Sequence, residues 1–229
     1  MTKLENCLAQ APVFSKLEPD DLADLSRLAV KKTYQKGEFI CWQGRVWPKV
    51  LYLESGLLEW AMLSPEGKRQ VVFRLKPCAT VWGHSFFDDQ PMPASLEVRE
   101  TSEVYTWSRE VIKPVVSQNI KAVWDVSQEM VRIMRKVRGV VYGFAFHPVA
   151  GRLARLLLEH YQPADGMSAD RNLTLEQMAN SIGSTIELVS KTLHQFAAEG
   201  MIEISRMQFV FSDREKLETL AGEDNDMAA

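Results

Sequence analysis

The spacing of apolar and polar residues changes along the chain, and each pattern predicts a different kind of structure. Residues 1–30 have helical spacing, which returns over residues 108–161. Between them, residues 33–106 contain short runs of strand formers separated by turn residues such as Ser55 and Gly56. The predicted strands are Tyr34 to Trp42, Val50 to Leu53, Leu57 to Leu63, Gln70 to Leu75, Ser95 to Val98 and Val104 to Trp107. Strands at this spacing predict an antiparallel β-barrel of the double-stranded β-helix or jelly-roll type.

A long helix is predicted from about residue 119 to 143. Its main seam repeats at alternating steps of four and three residues, which is typical of a helix that packs along a partner helix. The seam positions are Val116, Ile120, Val123, Ser127, Met130, Met134, Val137 and Val141. A second apolar face contains Val126, Ile133 and Val140. We expect one face to pack on the β-structure and the other to bind the same helix of a second copy. Burial of the whole helix within one chain is the alternative.

Two short helices with a tight break between them are predicted in the last third of the chain. Thr174 caps the first helix with Gln177 in a capping box, and Gly183 ends it. Ser184 opens the second helix, with Glu187 at the matching box position. This arrangement describes a helix-turn-helix, whose second helix enters the DNA major groove. An ordinary helical hairpin is the alternative.

The segments around these helices complete the fold prediction. Two β-rich runs, 201–204 and 208–211, predict a two-stranded wing, while Pro163 to Arg171 reads as a loop. A last helix is predicted from Asp213 to Leu220, before an acidic tail that we expect to be frayed. The predicted fold class is therefore α+β, with an N-terminal antiparallel barrel, a long dimerisation helix and a C-terminal winged helix-turn-helix.

The domain boundary is predicted at His147-Pro148, because a proline disfavours helical backbone in the residue before it. Residues 1–146 then form a sensor domain that includes the long helix, and residues 147–229 form a DNA-binding domain. The 229 residues suffice for two modest domains, and 46% hydrophobic and 25% charged residues are typical of a globular protein.

The net charge of −3 does not by itself favour DNA binding, so clustered positive charge has to supply phosphate contacts. Candidates are Arg132, Arg135, Lys136, Arg138, Arg152 and Arg155. A solvated helix face is the alternative interpretation of this cluster.

The three cysteines, Cys7, Cys41 and Cys78, are far apart in the sequence and have neither metal-ligand nor disulfide-framework spacing. We expect reduced thiols in a cytoplasmic protein and no iron–sulfur cluster, which needs about four cysteines. The N-terminus lacks a signal pattern, and no apolar run is long enough to cross a membrane. No membrane partner is therefore expected.

The order of barrel, long helix and winged helix-turn-helix resembles the cyclic-AMP-receptor/fumarate-nitrate-regulator (Crp/Fnr) family of bacterial transcription factors. The resemblance covers nearly the whole chain and is carried by Lys36-Gly37-Glu38, Gln43-Gly44, residues 51–56, Gly67, residues 151–154, Leu175, Gly183, Val189 and Leu193. It implies a homodimeric, sequence-specific DNA-binding transcription regulator that works with RNA polymerase. The chain shows no nucleophile–base arrangement, phosphate-cradling loop or metal cluster, so an enzyme is not expected. The rival hypothesis is a sensor whose helical domain binds a protein partner.

In this family one face of the second helix reads bases, and the resemblance places Thr185, Ile186, Glu187, Ser190 and Lys191 there. Glu187 can accept a hydrogen bond from a cytosine amino group, and Lys191 can reach guanine or phosphate. The pattern is similar to the fumarate-nitrate branch, with lysine in place of its usual arginine. Ile186 replaces an arginine of the cyclic-AMP branch, so that branch's operator is not expected. A capping role alone is the alternative for Glu187.

The resemblance places the effector pocket at Trp82, Gly83, His84, Ser85, Ala94 and Ser95. Cyclic-nucleotide binders carry a Gly-Glu pair and an Arg-Ser pair there, whereas His84 and Ala94 stand in the glutamate and arginine slots. Without that arginine, and with Asp88 and Asp89 nearby, a phosphate lacks its charge partner. We therefore expect an apolar or aromatic small-molecule effector, or none.

His84 also supports a haem hypothesis, because a carbon-monoxide-sensing member of the family carries a similar His-Ser pair. Trp82, Phe86 and Phe87 would supply apolar walls. The alternative is a histidine with a structural role.

Overall fold

The computed structural model describes residues 2–164 and 166–222, which divide into two compact units. The first unit contains residues 2–67 and 72–137, and the second contains residues 68–71 and 138–222. The division falls within a long helix, after Val137. The domain boundary that the sequence predicts after residue 146 stays a prediction.

The first unit combines helices with a β-sheet, in agreement with the predicted α+β class. The helices are α1 (Lys3–Leu8), α2 (Pro19–Leu28), α3 (Ser85–Asp88) and α4 (Arg109–Gln118), with a 3₁₀ turn at Phe14–Lys16. The strands are β1 (Val30–Tyr34), β2 (Phe39–Cys41), β3 (Lys49–Leu63), β4 (Arg69–Leu75), β5 (Thr80–Trp82) and β6 (Ser95–Ser108), and residues 69–71 of β4 are grouped with the second unit. The segment predicted as one strand from Tyr34 to Trp42 therefore splits into two, with a turn between them.

The strands form one sheet in the order β1-β6-β3-β4, with β2 also on β6 and β5 also on β3. The antiparallel pairing is confirmed. The predicted antiparallel β-barrel is not closed, because the path of the described strands does not return from β4 to β1. The longest pairing in the sheet joins β3 and β6, from Lys49↔Ser108 to Ala61↔Ser95. The shorter strands extend this long pair at its edges and do not complete a ring.

Gly56 lies inside β3 and not in a turn, which corrects the prediction that Ser55-Gly56 separates two strands. The register between β3 and β6 shifts three times between Leu53 and Leu58, which marks a β-bulge. Gly56 has φ +95, and a Cβ atom there would lie 2.2 Å from Ser102 Oγ. Glycine thus permits the bend that a side chain would block, and both β3 and β6 continue through it.

The two faces of this sheet belong to different apolar cores. One core joins the sheet to the helices and contains, among others, Leu8, Phe14, Leu25, Val50, Tyr52, Trp82, Trp107, Ile112 and Val126. The other contains Ile40, Cys41, Leu51, Leu53, Leu58, Trp60, Val81, Met92, Ala94, Leu96, Val98 and Val104. Alternate residues of β3, such as Leu51 and Tyr52, contribute to opposite cores because side chains alternate along a strand.

The helix α5 (Ile120–Phe146) is long, as predicted. It begins after Asn119, whose side-chain oxygen accepts hydrogen bonds of 3.1 Å from the backbone N–H groups of Lys121 and Ala122. Ala122 and Val126 are buried in the first unit. Most of the predicted seam remains in solvent, as described below. Within the described residues, no helix is long and apolar enough to cross a membrane.

The second unit contains a helix-turn-helix with a three-stranded sheet. Its elements are α6 (Val149–Tyr161), β7 (Met167–Asp170), α7 (Leu175–Ile182), α8 (Ile186–Ala198), β8 (Ile202–Ile204), β9 (Gln208–Phe211) and α9 (Arg214–Ala221). The predicted loop from Pro163 to Arg171 is wrong in part, because β7 pairs with β9 and adds a third strand to the wing. The acidic tail at 223–229 lies outside the described residues.

Candidate DNA-binding site and sensor pocket

The first helix of the helix-turn-helix, α7, begins and ends as its sequence predicts. Thr174 Oγ1 accepts a hydrogen bond from the backbone N–H of Gln177 at 3.1 Å, and the Gln177 side chain accepts one from the backbone N–H of Thr174 at 2.8 Å. This reciprocal pair is a capping box. Gly183 ends the helix in the left-handed conformation, with φ 61.

The second helix, α8, begins one residue later than predicted. Thr185 caps it, with Oγ1 accepting from the backbone N–H of Leu188 at 3.3 Å, so the capping role assigned to Ser184 is wrong. Glu187 lies in the first turn and outside a capping box. Hydrogen bonds from its own backbone N–H and from the Thr185 side chain lower the pKa of Glu187 and so favour the ionised carboxylate.

The buried and exposed residues of α8 separate onto opposite faces. Val189, Thr192, Leu193 and Phe196 pack into the core of the second unit or are buried beside it. Four of the five residues that were predicted to contact DNA are exposed and one, Ser190, is partly buried; the exposed ones are Thr185, Ile186, Glu187 and Lys191. Leu188, predicted to belong to the apolar stripe, is instead 41% exposed. The structure thus brings the predicted base-contacting residues together on one accessible face.

His194 also belongs to this exposed face, although it is not among the residues predicted to contact DNA. It follows Ser190 by one helical turn, and its ring Nδ1 lies 2.8 Å from the Ser190 carbonyl oxygen. Because His194 follows Ser190 by four residues, helical spacing in the sequence could have placed both on the same face. Arg206 is exposed in the turn between β8 and β9, at the tip of the wing.

Two arginines of the predicted basic cluster hold helix ends in the second unit. Arg152 Nε donates to the carbonyl oxygen of Ile182 at 2.9 Å, at the end of α7. A second nitrogen of Arg152 donates to the carbonyl of His147 at 2.9 Å, and Arg155 donates to the carbonyl of Ala221 at 2.8 Å. Cations at helix C-termini satisfy carbonyls that lack an intrahelical partner. These bonds support a positioning role for both arginines.

The residues predicted to form the effector pocket divide between the two cores of the first unit. Trp82 packs with Phe14 and Trp107 in the core that joins the sheet to the helices. Ala94 packs with Trp60 in the other core. Gly83 is buried, and a Cβ atom there would lie 2.5 Å from the Trp47 carbonyl oxygen, so this position accepts only glycine without rearrangement.

The two serines of the predicted pocket use their hydroxyl groups to hold loops. Ser85 Oγ accepts from the backbone N–H of Trp47 at 3.0 Å and donates to the carbonyl of Gln90 at 2.6 Å. Ser95 Oγ accepts from the backbone N–H of Gln43 at 2.9 Å. Both serines are fully buried. Their hydrogen bonds stabilise the chain around α3 and the start of β6.

His84 is exposed to solvent, although part of its imidazole ring packs against Trp60. Its ring and that of Trp60 form an edge-on contact with centroids 6.1 Å apart. Burial lowers the pKa of His84, and the nearby Asp88 carboxylate opposes this effect. Burial therefore favours the neutral form of the imidazole. Haem ligation by His84 stays a prediction, and the described residues contain no cluster of three or more metal-ligating side chains.

Two family models match the chain. A cyclic nucleotide-binding domain matches residues 31–119, and a Crp-like helix-turn-helix domain matches residues 151–220. Together they cover more than two thirds of the sequence and follow the order of the two units. The chain belongs to the Crp/Fnr family of transcription regulators. It is therefore a DNA-binding regulator, as the resemblance implied, and members of this family are not enzymes.

Individual Crp/Fnr relatives match over most of their lengths. The CRP-like cAMP-activated global transcriptional regulator of Mycobacterium tuberculosis is 22% identical over 219 residues, covering 93% of this chain and 98% of the relative. The transcriptional activator FnrL of Cereibacter sphaeroides is 24% identical, covering 93% and 89%. The crystal structure of a Crp/Fnr-family regulator of Eubacterium rectale superposes with a TM-score of 0.76 at 20% identity, covering 93% of this chain and 98% of that one. The similarity to the Eubacterium rectale structure supports the fold described above for this chain.

Proposed function

We propose that the protein is a homodimer that reads a two-fold symmetric operator with the exposed face of α8. The observation that carries the proposal is the separation of faces on this helix, which leaves Glu187, Ser190 and Lys191 in solvent or at its edge. A recognition helix needs such a face, because base edges are read in the major groove by side chains that project from one side. We infer that the regulator acts in the compartment that holds the DNA, the cytoplasm.

The chemistry of these side chains favours particular bases. The ionised Glu187 carboxylate accepts hydrogen bonds and suits the exposed amino group of cytosine. Lys191, one turn along the helix, donates to guanine acceptors or to phosphate. Ser190 contacts a thymine or a phosphate, and Thr185 and Ile186 complete the face at the start of the helix. The ammonium group of lysine is a point charge, whereas the planar guanidinium of arginine can donate two hydrogen bonds to one base. Lys191 should therefore discriminate between bases less strongly than an arginine would.

The dimer contact we propose is the apolar face that α5 leaves in solvent. It contains Ile120, Val123, Met134, Val137 and Val141 from the predicted seam, with Trp124 and Val131 beside them. Ile120 is 77% exposed and Met134 70% exposed, which is costly for large apolar side chains in a single chain. A second copy of α5 would remove this surface from water, and two-fold symmetry would then supply two recognition helices.

We propose an effector other than a cyclic nucleotide, although one relative is named as cAMP-activated. Ala94 brings no charge to the position of the expected arginine and is packed into an apolar core with Trp60 and Met92. The hydroxyl groups of Ser85 and Ser95 already bond backbone groups. An apolar or aromatic molecule fits this chemistry better than a phosphate does. Effector binding would reposition α5, spacing the two recognition helices for DNA and for contact with RNA polymerase.

A gel-shift assay on sequences selected from a random DNA pool tests the proposal. We expect Glu187→Ala with Lys191→Ala to reduce discrimination between selected and scrambled DNA by about 30-fold or more, since two base contacts at about 1–3 kcal/mol each total at least about 2 kcal/mol. Binding should weaken steeply with salt in wild type and variant alike. The control is Asp24→Ala with Arg27→Ala, which removes an exposed pair of the same charges from α2.

Each result of this assay has a defined meaning. Unchanged discrimination in the α8 double variant would overturn the assignment of Glu187 and Lys191 to base contacts. Equal losses in the α2 control would show that the effect comes from general charge and not from readout. Failure of the wild type to bind any DNA at low salt would overturn the operator model itself.

A further inference from the structure

Two cysteines that are distant in the sequence meet at one buried tyrosine hydroxyl in the first unit. Tyr52 on β3 is 1% exposed. The thiols of Cys78 and Cys7 both interact with its hydroxyl group. The sequence separation of these cysteines suggested isolated thiols, and the fold brings them to a common neighbour.

The Cys7 side of this cluster is fixed by the contact between α1 and β3. Lys3 and Cys7 are four residues apart on α1, and Glu54 and Tyr52 are two residues apart on β3. One helical turn and two strand residues both span about 6 Å, so the two pairs match. Lys3 Nζ lies 2.6 Å from a Glu54 carboxylate oxygen, so the ion pair holds α1, which carries Cys7, against β3, which carries Tyr52. Cys7 accordingly packs against the core that contains Tyr52.

The Cys78 side is fixed by the turn between β4 and β5. The backbone N–H of Cys78 donates to the carbonyl of Leu53 at 2.9 Å, and Thr80 pairs with Tyr52 across the sheet. Cys78 has φ 72, a left-handed conformation that is uncommon for residues other than glycine. The turn thus holds its thiol beside Tyr52, while the residue stays exposed to solvent.

We propose that Cys7 and Cys78 form a redox-active dithiol that a hydroperoxide converts into an intramolecular disulfide. The exposed Cys78 sulfur attacks a peroxide oxygen, the O–O bond breaks, and Cys78 becomes a sulfenic acid as one water leaves. The Cys7 sulfur then attacks the Cys78 sulfur, the S–O bond breaks, and a second water leaves with the Cys7 proton. Two thiols lose two electrons in total, and hydrogen peroxide is reduced to two water molecules.

Tyr52 and Cys41 define the reactivity expected at this site. Burial, followed by the two neighbouring thiols, raises the pKa of Tyr52, so the phenol keeps its proton and remains a hydrogen-bond donor to a sulfur anion. Cys41 is buried in the other core, and burial raises its pKa to about 12. Cys41 therefore stays a neutral thiol and serves as an unreactive reference within the same chain.

Peptide mapping of the full-length protein after oxidation tests the proposal. The reduced protein is treated with an equivalent of hydrogen peroxide, free thiols are alkylated, and the digest is analysed without reduction. We expect a linked peptide pair containing Cys7 and Cys78, with Cys41 alkylated. Cys41→Ser should give the same link. Cys7→Ser should stop at a Cys78 sulfenic acid that dimedone traps, and Cys78→Ser should oxidise more slowly by about tenfold or more.

A second measurement uses only the wild-type protein, so its result does not depend on whether the variants fold. A short bis-alkylating reagent applied to the native wild type should bridge Cys7 and Cys78 and leave Cys41 free. Absence of both the bridge and the oxidative link would overturn the proposal. So would a disulfide that forms between two chains only. Because these readouts are chemical, they do not depend on whether the protein binds its operator as proposed above.

Discussion

Glu54 is a nearly buried carboxylate on β3 that holds the N-terminal helix to the sheet. Its side chain is 7% exposed and lies 2.6 Å from Lys3 and 2.8 Å from Lys31. Hydrogen bonds from Lys3 and Lys31 lower the pKa of Glu54 from 4.5 to about 2. Burial opposes this shift, and the two lysines outweigh it.

The lowered pKa of Glu54 predicts a loss of stability in acid. Between pH 4.5 and about pH 2, the unfolded chain binds a proton at Glu54 that the folded chain does not bind. The stabilisation is therefore complete above pH 4.5 and disappears as the pH falls through about 2. Urea unfolding across this range should show a shallower pH dependence for Glu54→Gln than for the wild type. Glu103→Gln, which removes a more exposed partner of Lys31, is the control, and identical slopes for all three proteins would contradict the prediction.

At the scale of elements, β3 and β6 decide how the sensor unit is built. Each of them is continuous where the sequence pattern predicts two separate strands. Gly56 makes this possible, because a Cβ atom there would lie 2.6 Å from the Thr101 carbonyl oxygen as well as 2.2 Å from Ser102 Oγ. The bend in β3 therefore depends on the absence of a side chain at one position.

Gly56→Ala should lower the free energy of unfolding by about 3 kcal/mol, because it adds a steric clash to a strained backbone. The matched control is Gly67→Ala, at φ +81 with nothing within 4 Å of the added Cβ. The Gly67→Ala variant should lose only about 1 kcal/mol of unfolding free energy, because it adds backbone strain without a steric clash. Chemical denaturation of both variants measures the difference. Equal losses would show that the contact with β6 contributes little.

At the scale of the whole molecule, the exposed apolar face of α5 predicts the oligomeric state. Met134→Glu places a charge in the centre of that face and should shift the protein from dimer to monomer in sedimentation velocity experiments at micromolar concentration. Lys136→Glu changes charge at an exposed residue on the opposite side of α5 and should remain dimeric. A dimeric Met134→Glu protein, or a monomeric wild type, would contradict the proposed interface.

The sequence by itself determined the features that depend on neighbouring residues. Helical spacing and the capping box at Thr174 and Gln177 predicted α7, and the apolar seam of α5 predicted a long helix. Such signals are reliable because helices form through contacts three and four residues apart. The residues of α8 that we expect to contact bases were selected by the family resemblance, because helical spacing alone does not say which exposed face reads DNA.

Tertiary structure alone decided the features that depend on residues far apart in the chain. The pairing of β7 with β9 turned a predicted loop into a strand, and the pairing of β3 with β6 turned a predicted turn into a bulge. Likewise, packing of α1 and the β4–β5 turn on β3 brought Cys7 and Cys78 to the same hydroxyl group. Strand pairing and side-chain packing are set by long-range contacts, whose energies leave no periodic trace in the local sequence.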